Sequence, residues 1–267
     1  MNPNIYYDLS SENYHKAEGI SKSGLDQFRK SPAHYKHWLT AEREETPAMR
    51  LGTLTHMSVF QPDLYADRVV IAPIVDRRTK EGKSIWEQFK AENEGKDIIT
   101  HDEASQIHAM TQSVRQHPVV KKLLNTGAAE VSLFAKIDGI LMKGRLDYVT
   151  NETILDLKTT EDATPGSFAR SVANYRYHVQ AAHYLAIAKE LNMNLTRFIF
   201  IAVEKEAPYA VALYELDTAD LMLAEAERQK QIAMLGNCIA FDSWPSYPSE
   251  IKTLSLPKWA NSQNNNQ

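Results

Sequence analysis

The stretch that decides the fold is residues 130–160, which read EVSLFAKIDGILMKGRLDYVTNETILDLKTT. Apolar and polar residues alternate over 130–137, and a period of two is typical of a β-strand. Asp138-Gly139 is a strong hairpin signal, and Asn151-Glu152 favours a second turn. The stretch therefore predicts a meander of three consecutive strands, over residues 130–137, 140–149 and 153–159.

Helical patterns surround this meander. Upstream, residues 48–60 repeat at three- and four-residue steps, which predicts a helix carrying Gly52 and His56 on one side. Thr100 and Glu103 have the form of a capping box, so another helix should run from there to about His117. Residues 1–48 suggest short turns and helices. Downstream, we expect helices over 165–173, 177–191 and 218–235, with Gly236 ending the last, and strands over 197–203 and 209–216.

The composition is that of a globular protein. Of 267 residues, 43% are apolar and 24% are charged, which suits one large domain or a domain with appendages. We expect this domain to span residues 1–260, with a mostly helical part over 1–125, a core of sheet and helices over 126–216, and a C-terminal helix and extended segment over 217–260. Residues 261–267 are of low complexity and are expected to be disordered.

Charge and cysteine content exclude several classes of protein. A net charge of −4 argues against a uniformly basic nucleic-acid coat protein, although a local basic groove stays open. Cys238 is the only cysteine, which excludes an intrachain disulfide and a cysteine-based zinc site. The N-terminus shows no signal peptide, and no apolar run approaches the roughly 20 residues of a membrane span. We therefore expect a soluble, cytoplasmic protein.

The second and third predicted strands carry charges that suit phosphodiester chemistry. Asp147 lies late in the second strand, and Asp156 and Lys158 share one face of the third. Two carboxylates on adjacent strands can hold a divalent cation, and a lysine beside them can orient water or stabilise the transition state. An isolated Asp-x-Lys pair is usually a surface ion pair. Here it is embedded in an apolar run, where charge is costly unless it is paired or bound to metal.

With these residues the chain resembles the PD-(D/E)XK nucleases. Asp147 followed by Asp156-Leu-Lys158 is similar to their signature, and Gly52-x-x-x-His56 with Gln180-x-x-x-Tyr184 is similar to their RecB-type branch. More specifically, the chain resembles the C-terminal nuclease domain of RecE-type prophage exonucleases, the exodeoxyribonuclease VIII family, without the long N-terminal region of its largest member. The similarity extends along the chain through Ile5-Tyr-Tyr-Asp8, Gly19-Ile-Ser-Lys-Ser23, Leu51-Gly-Thr53, Asp156-Leu-Lys-Thr-Thr160, Tyr175-Arg-Tyr-His-Val-Gln180, Lys252-Thr-Leu-Ser-Leu-Pro257 and Trp259-Ala260.

The resemblance implies an α/β fold with a mixed central β-sheet flanked by helices, as in restriction-endonuclease-like domains. It implies Mg²⁺-dependent 5′→3′ digestion of linear double-stranded DNA, with Mn²⁺ as a substitute, leaving 3′ single-stranded tails for recombination by strand annealing. The implied partners are double-stranded DNA ends, further copies of the chain in a ring-shaped homotetramer, and a RecT-type single-strand annealing protein.

The resemblance also implies roles for individual residues. The metal ligands would be His56, Asp147, Asp156 and the backbone carbonyl of Leu157. Lys158 would be the catalytic lysine, with Gln180 and Tyr184 positioning it, the substrate phosphate or the acidic cluster. Glu130 is a candidate to orient water or bind a second metal, with an ordinary surface acid as an equal alternative. The candidate DNA contacts are Arg145 and Lys143 on the face of Asp147, Arg176, and Arg77 and Arg78 in a basic run.

Two other functions stay open. A structure-specific or single-strand nuclease, like the Cas4-type proteins, would carry the same motifs. Those proteins usually hold an iron–sulfur cluster, which a single cysteine cannot ligate. The non-enzymatic alternative is a DNA-end-binding module with a decayed site, and the intact set of His56, Asp147, Asp156 and Lys158 argues against it.

Overall fold

The structure is a computed structural model that describes residues 1–41 and 44–256. The expected tail over 261–267 and the motif residues Pro257, Trp259 and Ala260 lie outside this range. The strands of the described part are β1 (Asn4–Tyr6), β2 (Val69–Ile71), β3 (Asp97–Ile99), β4 (Ala128–Ile137), β5 (Ile140–Thr150), β6 (Thr153–Thr160), β7 (Arg197–Glu204) and β8 (Val211–Glu215).

Helices surround the strands along most of the chain. The N-terminal ones are α1 (Ser11–Lys16), α2 (Lys22–Lys30), α3 (Pro32–Trp38), α4 (Pro47–Phe60) and α5 (Pro62–Arg68). They are followed by α6 (Lys80–Glu92), α7 (His101–Gln116), α8 (Pro118–Leu123), α9 (Pro165–Asn174), α10 (Tyr177–Glu190) and α11 (Thr218–Ala240). No helix in the described ranges has the length and hydropathy required to span a lipid bilayer.

The central sheet contains the predicted meander. Among the described residues six strands pair in the order β1-β4-β5-β6-β7-β8, while β2 and β3 form a separate parallel pair. The turn at Asp138-Gly139 joins β4 to β5, and β6 follows antiparallel to β5. The β6–β7 pair is parallel and is connected through α9 and α10. The expected fold class, a mixed sheet flanked by helices, is confirmed.

Both faces of the sheet are buried. In β7, Phe198, Phe200 and Ala202 join a core with α2, α10 and α11, while the alternate residues join a second core with α4 and α7. Such two-sided burial produces a near-continuous apolar strand, and each fully buried large side chain contributes roughly 1.5–3 kcal/mol. Asp156 lies in β6 between Leu155 and Leu157, both fully buried in the second core. Its own side chain points to the α10 side.

Several sequence predictions were incomplete or wrong at the edges of the fold. The strand β1, the helix α5 and the pairing of β2 with β3 were not predicted. The last helix was expected to end at Gly236, but it continues to Ala240. Gly236 packs against Ile140, and an added Cβ would lie 3.4 Å from the Ile140 Cδ1. Tertiary packing therefore overrides the usual effect of glycine at this position.

Candidate active site

The candidate site lies where β5 and β6 separate. Backbone pairing between these strands extends only from Thr150↔Thr153 to Tyr148↔Leu155. One residue further, the Asp147 Oδ2 accepts a hydrogen bond of 2.8 Å from the Leu157 N–H. The N–H and C=O groups of a strand residue point to the same edge, so the Leu157 carbonyl also faces this opening. That orientation is the one its expected role as a ligand requires.

A local reversal of the pleat places a second carboxylate beside Asp147. Glu130 lies opposite Asp147, since Ala129 pairs with Tyr148 and Val131 with Leu146. Glu130 has a φ of 55°, in the left-handed region. The strand pairs before and after this one pack in different cores. Leu146 and its partner Val131 lie in the core on the α10 side, and Tyr148 and its partner Ala129 lie in the core on the α4 side. A left-handed non-glycine residue costs about 1–3 kcal/mol and is common at functional sites.

His56 extends into the site from α4, which packs on the face of the sheet opposite to α10. Its Nδ1 lies 3.1 Å from the Asp147 Oδ2. Burial opposes protonation of the ring, but the adjacent Asp147 carboxylate outweighs it and raises the His56 pKa. His56, Glu130 and Asp147 each offer a ligand atom, and these atoms lie within 4.8 Å of one another. This donor set of one imidazole and two carboxylates fits a divalent cation.

Asp156 lies behind this cluster. Its side chain is fully buried, and its Oδ1 accepts a hydrogen bond of 2.7 Å from the Gln180 Nε2. Its Oδ2 lies 2.5 Å from the Lys158 Nζ. The Tyr177 ring covers that ammonium, with 4.7 Å between the Nζ and the ring centroid. Asp156 is therefore held between a neutral donor and a partly buried cation.

The charges of the acidic cluster oppose one another. The pKa of Asp156 is raised to about 6, mainly by burial. The Lys158 ammonium lowers this pKa and the Asp147 carboxylate raises it further. Burial and the Asp147 carboxylate also raise the pKa of Glu130, against the effect of Arg145. The pKa values of Asp156 and Glu130 are thus raised mainly by burial, and the repulsion of the nearby Asp147 carboxylate adds to the effect. A bound cation would relieve this repulsion, so the donor set fits a metal in charge as well as in distance.

Asp147 and Lys158 keep their charged forms. Burial of Asp147 is outweighed by the attraction of His56 and Lys158 and by the Leu157 N–H, so its pKa is lowered. Burial of Lys158 is likewise outweighed by Asp156 and Asp147, and its pKa is raised.

Tyr184 lies one turn beyond Gln180 on α10. Burial raises the pKa of its phenol well above the usual value. Its ring packs over Gly144, where an added Cβ would come within 2.9 Å of the ring. Glycine at position 144 therefore lets the α10 side chains approach β5.

Two cavities adjoin the site. The larger, about 1170 Å³, is lined by His56, Glu130, Asp147, Gln180 and Tyr184, among others. We call it the main cleft. Lys158 instead lines a neighbouring cavity of about 310 Å³, which we call the α9 cavity.

Arg145 and Lys143, the candidate DNA contacts on β5, line the main cleft. Their charges already have partners within the protein. Arg145 lies 2.5 Å from the Glu130 carboxylate and donates to the Leu9 carbonyl and the Ser132 hydroxyl, both at 2.7 Å. The Lys143 ammonium is buried and donates to the carbonyls of Tyr14, His15 and Ala17.

The remaining basic candidates lie outside the main cleft. Arg176 is 4% exposed and its guanidinium contacts Asp26, Glu227 and Gln231. Arg78 pairs with Asp76 in an exposed loop, and Arg77 stacks on Trp86 at 3.4 Å. Lys143 and Arg176 are buried and bond to distant segments of the chain. We therefore do not include them among the DNA contacts proposed below.

One residue at the site was not singled out from the sequence. Tyr177 lies three residues before Gln180 on α10 and contacts the Lys158 ammonium. Its distance of three residues from Gln180 is the sequence signal that could have identified it, because residues three and four apart share a helix face. Tyr177, Gln180 and Tyr184 together form the side of α10 that faces β6 and β5.

The fold and this combination of residues define a PD-(D/E)XK-type domain. Residues 21–257 match the family DUF3799, described as a PDDEXK-like domain of unknown function, and the chain belongs to that family. No curated protein matched the sequence.

The chain is also similar to solved structures. One is a protein from Eubacterium rectale described as a "putative exonuclease", with 17% identity, a TM-score of 0.64, and coverage of 97% of this chain and 99% of that one. At this identity the likeness shows the fold alone. Another, the protein SSO0001, has 15% identity over 86% of this chain and 88% of that one, and its TM-score of 0.30 carries no argument.

Proposed function

We propose that the protein is a metal-dependent exodeoxyribonuclease that degrades linear double-stranded DNA in the 5′→3′ direction and leaves 3′ single-stranded tails. The observation that carries the proposal is the cluster at the β5–β6 opening. There His56, Glu130 and Asp147 lie within ligand distance of one another, and the ion pair of the buried Asp156 with Lys158 lies next to them. Family membership and the fold support the nuclease class.

The proposed roles follow from these positions. His56, Asp147 and Glu130 would hold the metal, with Asp156 and the Leu157 carbonyl adjoining it. Bound Mg²⁺ or Mn²⁺ supplies charge neutralisation at the phosphate and an activated water. Lys158 would donate hydrogen bonds to the charge that develops on the phosphate oxygens. Gln180 would hold Asp156 in place, and Tyr184 would line the cleft beside it.

The main cleft is the proposed path of the DNA strand to this cluster. Arg145 lies beside Glu130 in its wall, and Lys16, Lys22 and Arg68 also line it. Each of these cations pairs with a carboxylate of the protein and would exchange that partner for a backbone phosphate. Phosphates carry no sequence information, so digestion should not depend on sequence. Binding should weaken steeply with salt, because each neutralised phosphate releases counterions. With a net charge of −4, a concentration of cations in the cleft would leave the rest of the surface acidic.

The assembly part of the proposal rests on the RecE-type resemblance. It comprises a ring-shaped homotetramer around duplex DNA and a RecT-type annealing partner that takes up the 3′ tail. Sedimentation of the purified protein with and without duplex tests the first, and co-purification with a strand-annealing protein tests the second.

The activity is tested on linear duplexes labelled at either the 5′ or the 3′ end, with and without a 5′ phosphate. We expect early release of the 5′ label in Mg²⁺ and no digestion of covalently closed circles. Asp156→Ala and Lys158→Ala should abolish release. Early release of the 3′ label would contradict the polarity, and cutting of circles or a preference for single strands would favour a structure-specific nuclease. Digestion by both variants at the wild-type rate would contradict the site.

A further inference from the structure

The α9 cavity is lined in part by Lys158, the proposed catalytic lysine, and the reaction proposed above assigns no role to the side of α9 that faces it. It is lined by Lys158 and Tyr177 on one side and by the exposed side of α9 on the other. Its volume of about 310 Å³ is at the lower end of the range for small-ligand sites. It also lies beyond the carboxyl ends of the parallel pair β6–β7, a common location for ligands in sheets with parallel strands.

The exposed side of α9 carries a row of hydrogen-bond donors. Ser167, Arg170, Ser171 and Asn174 recur at three- and four-residue steps and all line the cavity, and the buried Phe168 forms part of its wall. Hydroxyl, amide and guanidinium groups are the donors that proteins use to contact nucleic-acid phosphates. The row therefore suits a phosphodiester backbone lying along the helix.

The charges around the cavity are mixed, with an excess of cations. Lys158, Arg170 and Lys205 line it together with the carboxylates of Glu161 and Asp162. Lys205 pairs with Glu161, and Asp162 accepts the Thr164 N–H. Arg170 donates to the Ser167 hydroxyl and its side chain is exposed. The guanidinium of Arg170 is therefore the cation best placed to meet a phosphate.

An exposed aromatic ring lies at the end of the row. Tyr175 is 62% exposed and stacks on Tyr177, with 5.5 Å between ring centroids and 24° between planes. The turn between them is held in place by Arg176, which has a left-handed φ of 54° and whose buried guanidinium pairs with Asp26 and Glu227. A rigid, exposed ring next to phosphate donors is the arrangement on which an unpaired base stacks.

We propose that the α9 cavity and Tyr175 form a subsite for single-stranded DNA, which binds the strand on one side of the scissile phosphate. The inference rests on the proposed function, since Lys158 connects the subsite to the reaction. A base-paired duplex does not present its base faces to a side chain, so stacking on Tyr175 selects an unpaired segment or an end. The row on α9 would hold the phosphates of the same segment.

The test is binding of a short fluorescent oligothymidine to the full-length protein in EDTA, measured by anisotropy over a range of salt concentrations. Tyr175→Ala should weaken binding about tenfold, and Tyr175→Trp should retain it, because stacking needs only an aromatic face. Arg170→Gln should weaken binding and lower the magnitude of the salt slope by about 0.7. Both positions are exposed, so the variants should melt like wild type.

Two matched controls are Tyr247→Ala, at an exposed tyrosine that lines neither cavity, and Arg197→Gln, at the opposite end of β7. Both should bind like wild type. The inference is overturned if wild type does not bind the oligonucleotide, if Tyr175→Ala and Arg170→Gln bind as tightly as wild type, or if the controls weaken binding equally. Binding that depends on Tyr175 without any cleavage in Mg²⁺ would instead contradict the proposed function alone.

Discussion

The Oδ2 of Asp147 accepts a hydrogen bond from the backbone N–H of Leu157 at 2.8 Å, immediately beyond the last backbone pair between β5 and β6. The side chain thus takes the place of a ladder hydrogen bond where the strands separate. The same Oδ2 lies 3.1 Å from the His56 Nδ1. Asp147 therefore stabilises the opening and contributes a carboxylate to the proposed metal site at the same time.

Gln180 should be needed to hold Asp156. Gln180→Leu removes the donor to the buried Oδ1, and an unsatisfied buried acceptor costs about 1–3 kcal/mol. We expect a loss of about 2 kcal/mol in the free energy of unfolding by urea denaturation, and a fall in cleavage rate of about tenfold or more, as for other groups that orient metal-site ligands. The control is Gln229→Leu, at an exposed glutamine that bonds Glu225 on α11. Equal effects of the two substitutions would contradict this role.

Tyr177 should position Lys158 through the face of its ring. Tyr177→Phe keeps the aromatic face and should keep the wild-type kcat. Tyr177→Leu removes it and should lower kcat about tenfold with KM unchanged, given the usual strength of a desolvated cation–π contact. Steady-state kinetics on linear duplex separates the two constants. If Tyr177→Phe and Tyr177→Leu have the same kcat, the ring does not position Lys158.

Lys143 should contribute to stability and not to DNA binding. Lys143→Met leaves the carbonyls of Tyr14, His15 and Ala17 without this donor. We expect a loss of about 2 kcal/mol in the free energy of unfolding. The salt slope of DNA binding should stay at the wild-type value, because no phosphate contact is removed. A shallower slope with unchanged stability would identify Lys143 as a phosphate ligand after all.

Acid should destabilise the protein through His183. Burial and the nearby Arg228 guanidinium lower the pKa of this histidine to about 4, from an ordinary value of 6.5. Between these values the unfolded chain binds a proton that the native protein does not, so stability falls as pH falls from 6.5 towards 4. At 1.36 kcal/mol per unit the contribution is about 3 kcal/mol.

The measurement is the free energy of unfolding at several pH values in this window. His183→Gln should show a smaller loss on acidification than wild type, since the other titrating groups are unchanged. His108→Gln, at an exposed position on α7, should follow the wild-type curve. Parallel curves for wild type and His183→Gln would rule out this contribution.

The strands and most helices could be predicted because their signals are local. The alternation after Glu130, the turn at Asp138-Gly139 and the capping box at Thr100 each act within a few residues, and all three are confirmed. The same holds for Asp156 and Lys158 on one face of β6, where the ion pair is observed.

The rest depends on contacts between distant segments. Lys143 and Arg176 carry charges that suit DNA in the sequence, yet their partners include carbonyls of residues 14–17 and side chains of α2 and α11. The pleat reversal at Glu130 has no sequence signal, because a left-handed glutamate has no characteristic neighbours. For the same reason, the position of Glu130 within ligand distance of His56 could not be derived from spacing.

The central claim is a metal-dependent nuclease centred on Asp147. The most direct measurement is the rate of nucleotide release from linear duplex DNA as Mg²⁺ is titrated into EDTA-treated protein, for wild type and for Asp147→Asn. We predict no release without metal, a saturable rise with Mg²⁺ for wild type, and a loss of at least about a hundredfold for the variant. Release in EDTA, or equal rates for wild type and a folded Asp147→Asn protein, would contradict the account.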